Sequence, residues 1–283
     1  MKRCLACFAE FYAATWVCPA CGWEPAVRNG FLAFAPELDG QSDGFNPGFF
    51  RLMVAVEPRH FWFVARNRIL MDVMRNHFRS PRKVLEIGCG TGFVLSGMRE
   101  TFPQAQFSGS DIYTAGLAFT ARRVPAAFLF QMDARHIPYE SEFDLVGAYD
   151  VLEHVEEDEA VLAQMFRACK PGGGIVLTVP QHRWLWSRVN GFAHHRRRYE
   201  RAELADKVKR AGFRIEYATS FVSLLLPLML LSRGMKKSGA SMDEQMEAVG
   251  LKVGALTNAV LGAVMRVERG LLKLGLALPL GGS

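Results

Sequence analysis

An α/β fold built on a doubly wound, mostly parallel sheet is the expectation for this 283-residue chain. Three observations predict it. Between residues 83 and 221 short apolar runs alternate with helical segments, the pattern of parallel strands joined by crossover helices. The first of those runs, 84–87, enters a helix through three glycines two residues apart, a stretch cleared of side chains so that a ligand can lie on the backbone. The composition, half hydrophobic with 21 Phe and 22% charged residues, supplies a sizeable core and excludes disordered, fibrous and low-complexity classes.

The first 21 residues hold four of the six cysteines, as Cys4-x-x-Cys7 and Cys18-x-x-Cys21. Each pair can wrap one side of a tetrahedral ion, and Gly22 lets backbone amides turn toward sulfur. Two disulfides would require a secreted module, and Met1-Lys2-Arg3-Cys4 leads into no apolar signal core, so zinc is favoured; iron would use the same four thiolates. With no open position and no acid nearby, the ion should be structural and leave cofactor binding intact. Residues 1–28 therefore read as a zinc-ribbon-like module, 29–59 as a connector, 60–80 as a lid helix, 81–221 as the sheet domain and 222–283 as an apolar, basic helical extension.

Within the sheet domain, strands are expected at 84–87, 106–112, 126–132, 143–149, 174–180 and 213–221. Helices fall at 92–102, 114–124 and 202–211, with another whose buried face is marked by Leu162, Met165, Phe166 and Cys169. Glu156-Glu157-Asp158-Glu159 suit the positive end of that helix, and Lys170-Pro171-Gly172 its stop.

The densest motif is Glu86-Ile87-Gly88-Cys89-Gly90-Thr91-Gly92. A dinucleotide fingerprint would place the third glycine one position later, and a phosphate loop would follow with Lys. Glu86 would moreover repel phosphate. A carboxylate here suits a cofactor bearing an ammonium and a sulfonium, and Asp111 ends the second strand where an acid accepts both ribose hydroxyls of a nucleoside.

With Gln131-Met132-Asp133-Ala134, Asp150-Val151-Leu152-Glu153-His154-Val155 and Lys170-Pro171-Gly172-Gly173 added in order, the chain resembles the class I S-adenosylmethionine (SAM) dependent methyltransferases over most of 83–221. The resemblance implies a Rossmann-like methyltransferase fold. It also implies that Glu86, Gly88, Gly90 and Gly92 hold the methionine part of SAM, Asp111 the ribose, and Met132 with Asp133 the adenine. The flanks, Glu57 through His60-Phe61-Trp62-Phe63 to Arg66 and 178–186 with 195–199, are similar to UbiE/UbiG-type bacterial enzymes, which makes Phe61, Trp62 and Arg66 lid residues and Phe63 core. Such relatives close with a seventh, antiparallel strand. Here the sequence ends at Ser283 where they run on, so that strand is supplied differently or the chain is a piece.

The implied activity is methyl transfer to a small-molecule or lipid-precursor acceptor at oxygen, with His154 as general base. Asp150, Glu153 and His154 with His194 or His195 would alternatively bind a divalent ion, as similar segments do in ubiquinone O-methyltransferases; packing is the third role open to His154. The other function class is an RNA methyltransferase docking through its zinc module, but residues 1–28 offer only Lys2, Arg3 and Arg28 against Glu10 and Glu24.

Of the net charge of +6, residues 181–283 contribute 17 Lys/Arg against 8 Asp/Glu. There His194-His195-Arg196-Arg197-Arg198 would neutralise an anionic acceptor, and Trp184 and Trp186 would wall an apolar one. The apolar run 221–231 and the helix carrying Leu256, Val260, Val264, Leu271 and Leu272 are too short to span a bilayer but suit peripheral docking on an anionic membrane, a dimer interface or a substrate lid. The expected location is cytoplasmic, with peripheral contact at the inner membrane face.

Overall fold

The computed structural model describes residues 1–40, 48–187, 190–191, 193–233 and 251–283. Two short strands, β1 (Lys2–Arg3) and β2 (Glu10–Phe11), pair antiparallel across the four-cysteine knuckles, and a hairpin of β3 (Ala26–Arg28) and β4 (Phe31–Ala33) follows. Helices α1 (Gly48–Val56) and α2 (Phe61–His77) lead into β5 (Lys83–Ile87). The alternation then runs α3 (Phe93–Thr101), β6 (Gln106–Asp111), α4 (Thr114–Arg123), β7 (Phe128–Gln131), β8 (Phe143–Tyr149), α5 (Asp158–Ala168), β9 (Cys169–Thr178) and α6 (Arg201–Arg210). Helices α7 (Leu226–Arg233) and α8 (Ala255–Lys273) end the order.

The sheet has seven strands in the order β3-β4-β7-β6-β5-β8-β9, all parallel except β3. Because β5 is flanked by both β6 and β8, the chain leaves it in two directions, and the crevice at its carboxyl end is the switch point where such sheets bind ligands. Val84, Leu85, Glu86 and Ile87 are all buried, as a central parallel strand covered on both faces requires. Val84 joins Met74, Leu95, Met98 and Leu145 on one side, while Leu85 and Ile87 join Phe130, Val146, Leu162 and Met165 on the other.

The expected first five strands form. The sixth does not: residues 213–221 form no ladder strand, and their alternating side chains pack without one, Phe213 edge-on to Phe166 at 5.0 Å and Tyr217 stacked on His77 at 5.4 Å. Segment 219–222 instead exchanges hydrogen bonds with 278–283, Ser220 N donating to the Leu278 carbonyl and Phe221 N to that of Ser283. Within α5, Leu162 and Met165 are buried but Phe166 is 47% exposed, and Cys169 is the first residue of β9, which runs through Lys170-Pro171-Gly172.

At the far edge, β4 lies parallel to β7, so residues read as connector extend the sheet. The module's Trp16 meets Phe34 at 4.7 Å and Tyr139 at 5.3 Å, and Phe34 meets Phe130 at 5.7 Å, giving module and sheet one continuous apolar core. On the other side α2 packs on α8 through Ala65, Ile69 and Met265; the Asn258 side chain accepts from Phe61 N at 2.8 Å, and Arg269 pairs with Asp72.

Candidate active site

At the carboxyl end of β5 the backbone reverses through Gly88 (φ +66°) and Gly92 (φ +74°), a left-handed region that β-carbon-bearing residues rarely enter. A β-carbon on Gly88 would lie 2.5 Å from the Val151 side chain, and one on Gly92 would lie 2.8 Å from Thr120. Both glycines thus also serve close packing.

A cavity of about 220 Å³ opens at this edge, walled by Glu86, Gly88, Gly90, Tyr149 and Asp150 from the sheet and by Trp62, Phe63 and Arg66 from α2. A larger one of about 960 Å³ lies at the opposite end, among Lys83, Gln106 and Phe128 where strands begin. The smaller is the candidate site, because it lies at the switch point and gathers the charged groups.

Glu86 is 2% exposed, and its Oε2 has no hydrogen-bond partner among the described residues. Burial pushes its pKa well above the ordinary carboxylate value, and Arg66 opposes that rise. A cationic ligand would supply the missing partner, since an unsatisfied buried polar group costs about 1–3 kcal/mol. Arg66 is itself buried, paired with Asp150 at 2.7 Å and set over the Trp62 ring at 5.0 Å. Thr178 donates its hydroxyl to Asp150 at 3.1 Å.

Asp111 lies beside the glycine loop, its carboxylate accepting from Gly90 N at 2.8 Å and Tyr113 N at 2.9 Å. Burial raises its pKa to about 6 in spite of those two donors. Met132 is buried in the core, its amide bonded to the Asp111 carbonyl. Asp133 is held in two contacts by Arg135, at 2.9 and 2.8 Å, which keep its pKa low against the effect of burial. The cavity wall therefore unites Glu86, Gly88 and Gly90; Asp111 adjoins it through Gly90, whereas Gly92, Met132, Asp133 and His154 are not part of it.

His154 stands exposed on the turn Leu152–His154 that follows β8. Desolvation of the ring lowers its pKa, helped by His194 and Arg196 and opposed by Asp150. Its ring meets that of His195 edge-on at 4.9 Å, and His195 Nε2 lies 3.9 Å from Glu153 Oε1. Glu153 is fully buried, with no hydrogen-bond partner for either carboxylate oxygen among the described residues. Glu153, His154 and His195 thus offer three ligand atoms within 4.8 Å of one another, without Asp150, which is committed to Arg66.

Several groups near the site depart from the sequence reading. Phe61 faces α8 rather than the cleft, while Phe63, expected in the core, lines it. The arginines after His195 are engaged internally: Arg196 with Glu156, Arg197 with Asp158, and Arg198 with the Gln181, His182 and Gly282 carbonyls. Trp184 and Trp186 are about half exposed. Sequence reasoning also missed Phe49, Phe50 and Met53 of α1, which cover the cleft, and the link from Glu57 to Thr91 and Arg123, both at 2.8 Å or less.

At the module, Cys4 and Cys21 sulfurs lie 3.7 Å apart, as do those of Cys7 and Cys18, and all four cluster within 4.8 Å. A disulfide needs about 2.05 Å. Four thiolates about 2.3 Å from a tetrahedral zinc stand about 3.8 Å from one another, so the sulfurs fit such an ion. Burial would raise the Cys18 thiol, but the Ala20 and Cys21 amides and the neighbouring thiols bring it down to about 7, favouring thiolate.

A parallel α/β sheet with a glycine loop, a buried acid beside it and an incompletely paired buried carboxylate at its switch point has the form of a cofactor-binding α/β protein. The comparisons narrow the class. Residues 59–218 match a family model described as a methyltransferase domain, and the chain belongs to that family. It is 27% identical to the malonyl-[acyl-carrier protein] O-methyltransferase of Halorhodospira halophila over 47% of this chain and 48% of that protein. It is 31% identical to phthiotriol/phenolphthiotriol dimycocerosates methyltransferase 1 of Mycobacterium ulcerans, over 55% and 58%. The chain spans about half the length of the curated relatives it matches. Among solved structures, the complex of the Haloferax volcanii Trm112 methyltransferase activator with a methyltransferase shares the fold, with TM-score 0.51, 18% identity, and coverage of 62% of this chain and 78% of that one.

Proposed function

We propose that this protein transfers the methyl group of SAM to an oxygen of a small-molecule or lipid-precursor acceptor. The observation that carries the reading is the buried, incompletely paired Glu86 beside Gly88 and Gly90, with Asp111 one hydrogen bond away. Bound there, SAM supplies an electrophilic methyl group on a sulfonium. Glu86 would pair with its ammonium and Asp111 would accept from its ribose hydroxyls, while Arg66 stays paired with Asp150 beside them. Trp62, Phe63 and Tyr149 keep water from the reacting end, where alignment of the acceptor with the C–S bond is the main demand. His154, whose lowered pKa favours the neutral ring, would take the hydroxyl proton of an acceptor that reaches it from the cavity. Calorimetric titration with S-adenosylhomocysteine tests the cofactor reading, and comparing metabolites of cells with and without the protein would reveal an unmethylated acceptor.

A second reading of the same corner rests on Glu153, whose buried carboxylate lacks a hydrogen-bond partner among the described residues and faces His195: with His154 it would hold a divalent ion that binds the acceptor oxygen. The RNA alternative has less support, because Lys2 is spent on the carbonyls of Ala13, Ala14 and Thr15 and Arg3 pairs with Glu140.

The four-cysteine cluster is proposed to hold one structural zinc. Elemental analysis should give one zinc per chain, and Cys18→Ser should lose it and lower the melting temperature. Metal-free wild-type protein of unchanged stability would refute the assignment.

Of the α8 residues expected to dock, Val264 and Leu272 pack toward α2, whereas Leu256 and Val260, with Val267 and, just past the helix, Leu274 on the same stripe, are exposed near exposed Lys252 and Arg266, as are Leu228 and Leu231 on α7. No helix among the described residues is long and apolar enough to cross a membrane. The stripe is proposed as a peripheral contact with an anionic bilayer on the inner face. Leu256→Glu with Val260→Glu should weaken sedimentation with phosphatidylglycerol vesicles at least tenfold, at about 1.5–3 kcal/mol per buried side chain. Equal sedimentation of the double variant would rule the contact out.

A further inference from the structure

The hairpin and the turn segment 34–40 behind the four-cysteine module do more than extend the sheet, for they reach the two loops on which the nucleoside half of the cofactor would rest. The first loop joins β6 to α4 and carries Asp111. Helix α4 starts after Tyr113, which is not a capping residue type, and its first amide, Thr114 N, donates to Asp39 Oδ1 at 3.0 Å. The Thr114 hydroxyl donates to Asp39 Oδ2 at 2.7 Å and accepts from Asn29 Nδ2 at 2.8 Å. The second loop leaves β7 at Gln131. That side chain is fully buried: its Oε1 accepts from Ala35 N at 3.0 Å, and its Nε2 donates to the Ala35 carbonyl at 2.7 Å and the Ile112 carbonyl at 3.2 Å. One amide therefore ties the segment to both loops at once.

The segment is in turn fixed by the module. Phe34 lies between Trp16 and Trp23 on one side, at 4.7 and 6.2 Å, and Phe130 of β7 on the other. Trp23 closes the second cysteine knuckle, its carbonyl accepting from Cys18 N at 2.8 Å. A continuous path of packed rings and hydrogen bonds thus runs from the four sulfurs to Thr114 and Ile112.

We infer that the N-terminal module is a built-in brace for the nucleoside half of the cofactor site, with Asp39 and Gln131 as positioning residues, so that metal occupancy at Cys4, Cys7, Cys18 and Cys21 and cofactor affinity are coupled. This departs from the expectation that metal and cofactor sites are independent, and it rests on the SAM reading. Coupling between two binding sites is reciprocal: whatever the metal adds to cofactor affinity, the cofactor adds to metal retention.

The experiment uses the full chain as purified. S-adenosylhomocysteine and adenosine are titrated calorimetrically into wild type, Asp39→Ala, Asp39→Asn and Gln131→Ala, and zinc release to a chromophoric chelator is followed with and without S-adenosylhomocysteine. Asp39→Ala should weaken both ligands by one common factor, about 2- to 30-fold as for a lost helix cap, and Asp39→Asn should restore most of it. Saturating S-adenosylhomocysteine should slow zinc release in the wild type and less so in Asp39→Ala. Half-buried Asp39 makes that variant informative even if Gln131→Ala does not fold. Wild-type affinities in Asp39→Ala together with ligand-independent zinc release would overturn the brace while leaving the methyltransferase reading in place. A wild-type chain that binds neither ligand would overturn both.

Discussion

Replacing Asp111 with alanine should weaken S-adenosylhomocysteine binding by roughly 10²- to 10⁴-fold, because the two ribose hydroxyl-to-carboxylate bonds proposed there, about 1.5–3 kcal/mol each, would be lost. The acid also predicts a pH dependence. Its pKa, raised to about 6 in the free protein by burial, means that acidification would protonate the group proposed to hold the ribose. Affinity should be level above that value and fall about tenfold per pH unit below it. The same shift bears on stability with the opposite sign: a carboxyl whose folded pKa exceeds its unfolded value of about 3.9 opposes folding at neutral pH, and that cost is relieved as pH falls through about 6. Asp111→Asn would remove that cost but turn its amide nitrogen against either the Gly90 or the Tyr113 N–H, so it should bind cofactor poorly with no gain in melting temperature at pH 7. Unchanged cofactor affinity in the alanine variant would reject the ribose role of Asp111, and NADH competing for the site would reject SAM as its ligand.

The second large effect is expected at His154. His154→Ala should lower kcat by about 10²- to 10⁴-fold with little change in SAM affinity, the range for a lost general base. Since desolvation lowers its pKa, activity should persist through neutral pH and decline only below the ordinary imidazole value near 6.5. If the neighbouring Glu153 and His195 hold a catalytic ion instead, a chelator should abolish turnover, Mg²⁺ should restore it, and Glu153→Ala should match the histidine variant. Full activity in His154→Ala would leave the residue only its packing against His195.

What the sequence disclosed about the fold and site was local. Glu86 and its glycines, Asp111 at a strand end and the cysteine pairs are read within a few residues, where a turn or a ligand geometry dictates residue type and spacing. The groups it missed act across the chain. Asp39 meets Thr114 75 residues on, Gln131 meets Ala35 across 96, and Phe50 of α1 comes against Gly90 and Gly116. No periodicity announces such contacts. The absent sixth strand has another cause: Phe213, Ile215 and Tyr217 alternate because an extended chain also presents alternate side chains when it packs without a ladder. The arginines after His195 looked like an anion site because sequence shows charge and not its partners.

The pairing of β4 with β7 joins parts of the chain that become available far apart during synthesis. The four cysteines lie within 18 residues of one another, so the metal knuckle can close as soon as that stretch exists. Its docking surface arrives far later, when β7 and Tyr139 follow about 100 residues downstream. Until then Trp16, Trp23 and Phe34 have no apolar partner on the sheet. That edge closes over a long stretch of chain, so it is expected to form after the local contacts, and refolding should show it as a slow phase in tryptophan fluorescence.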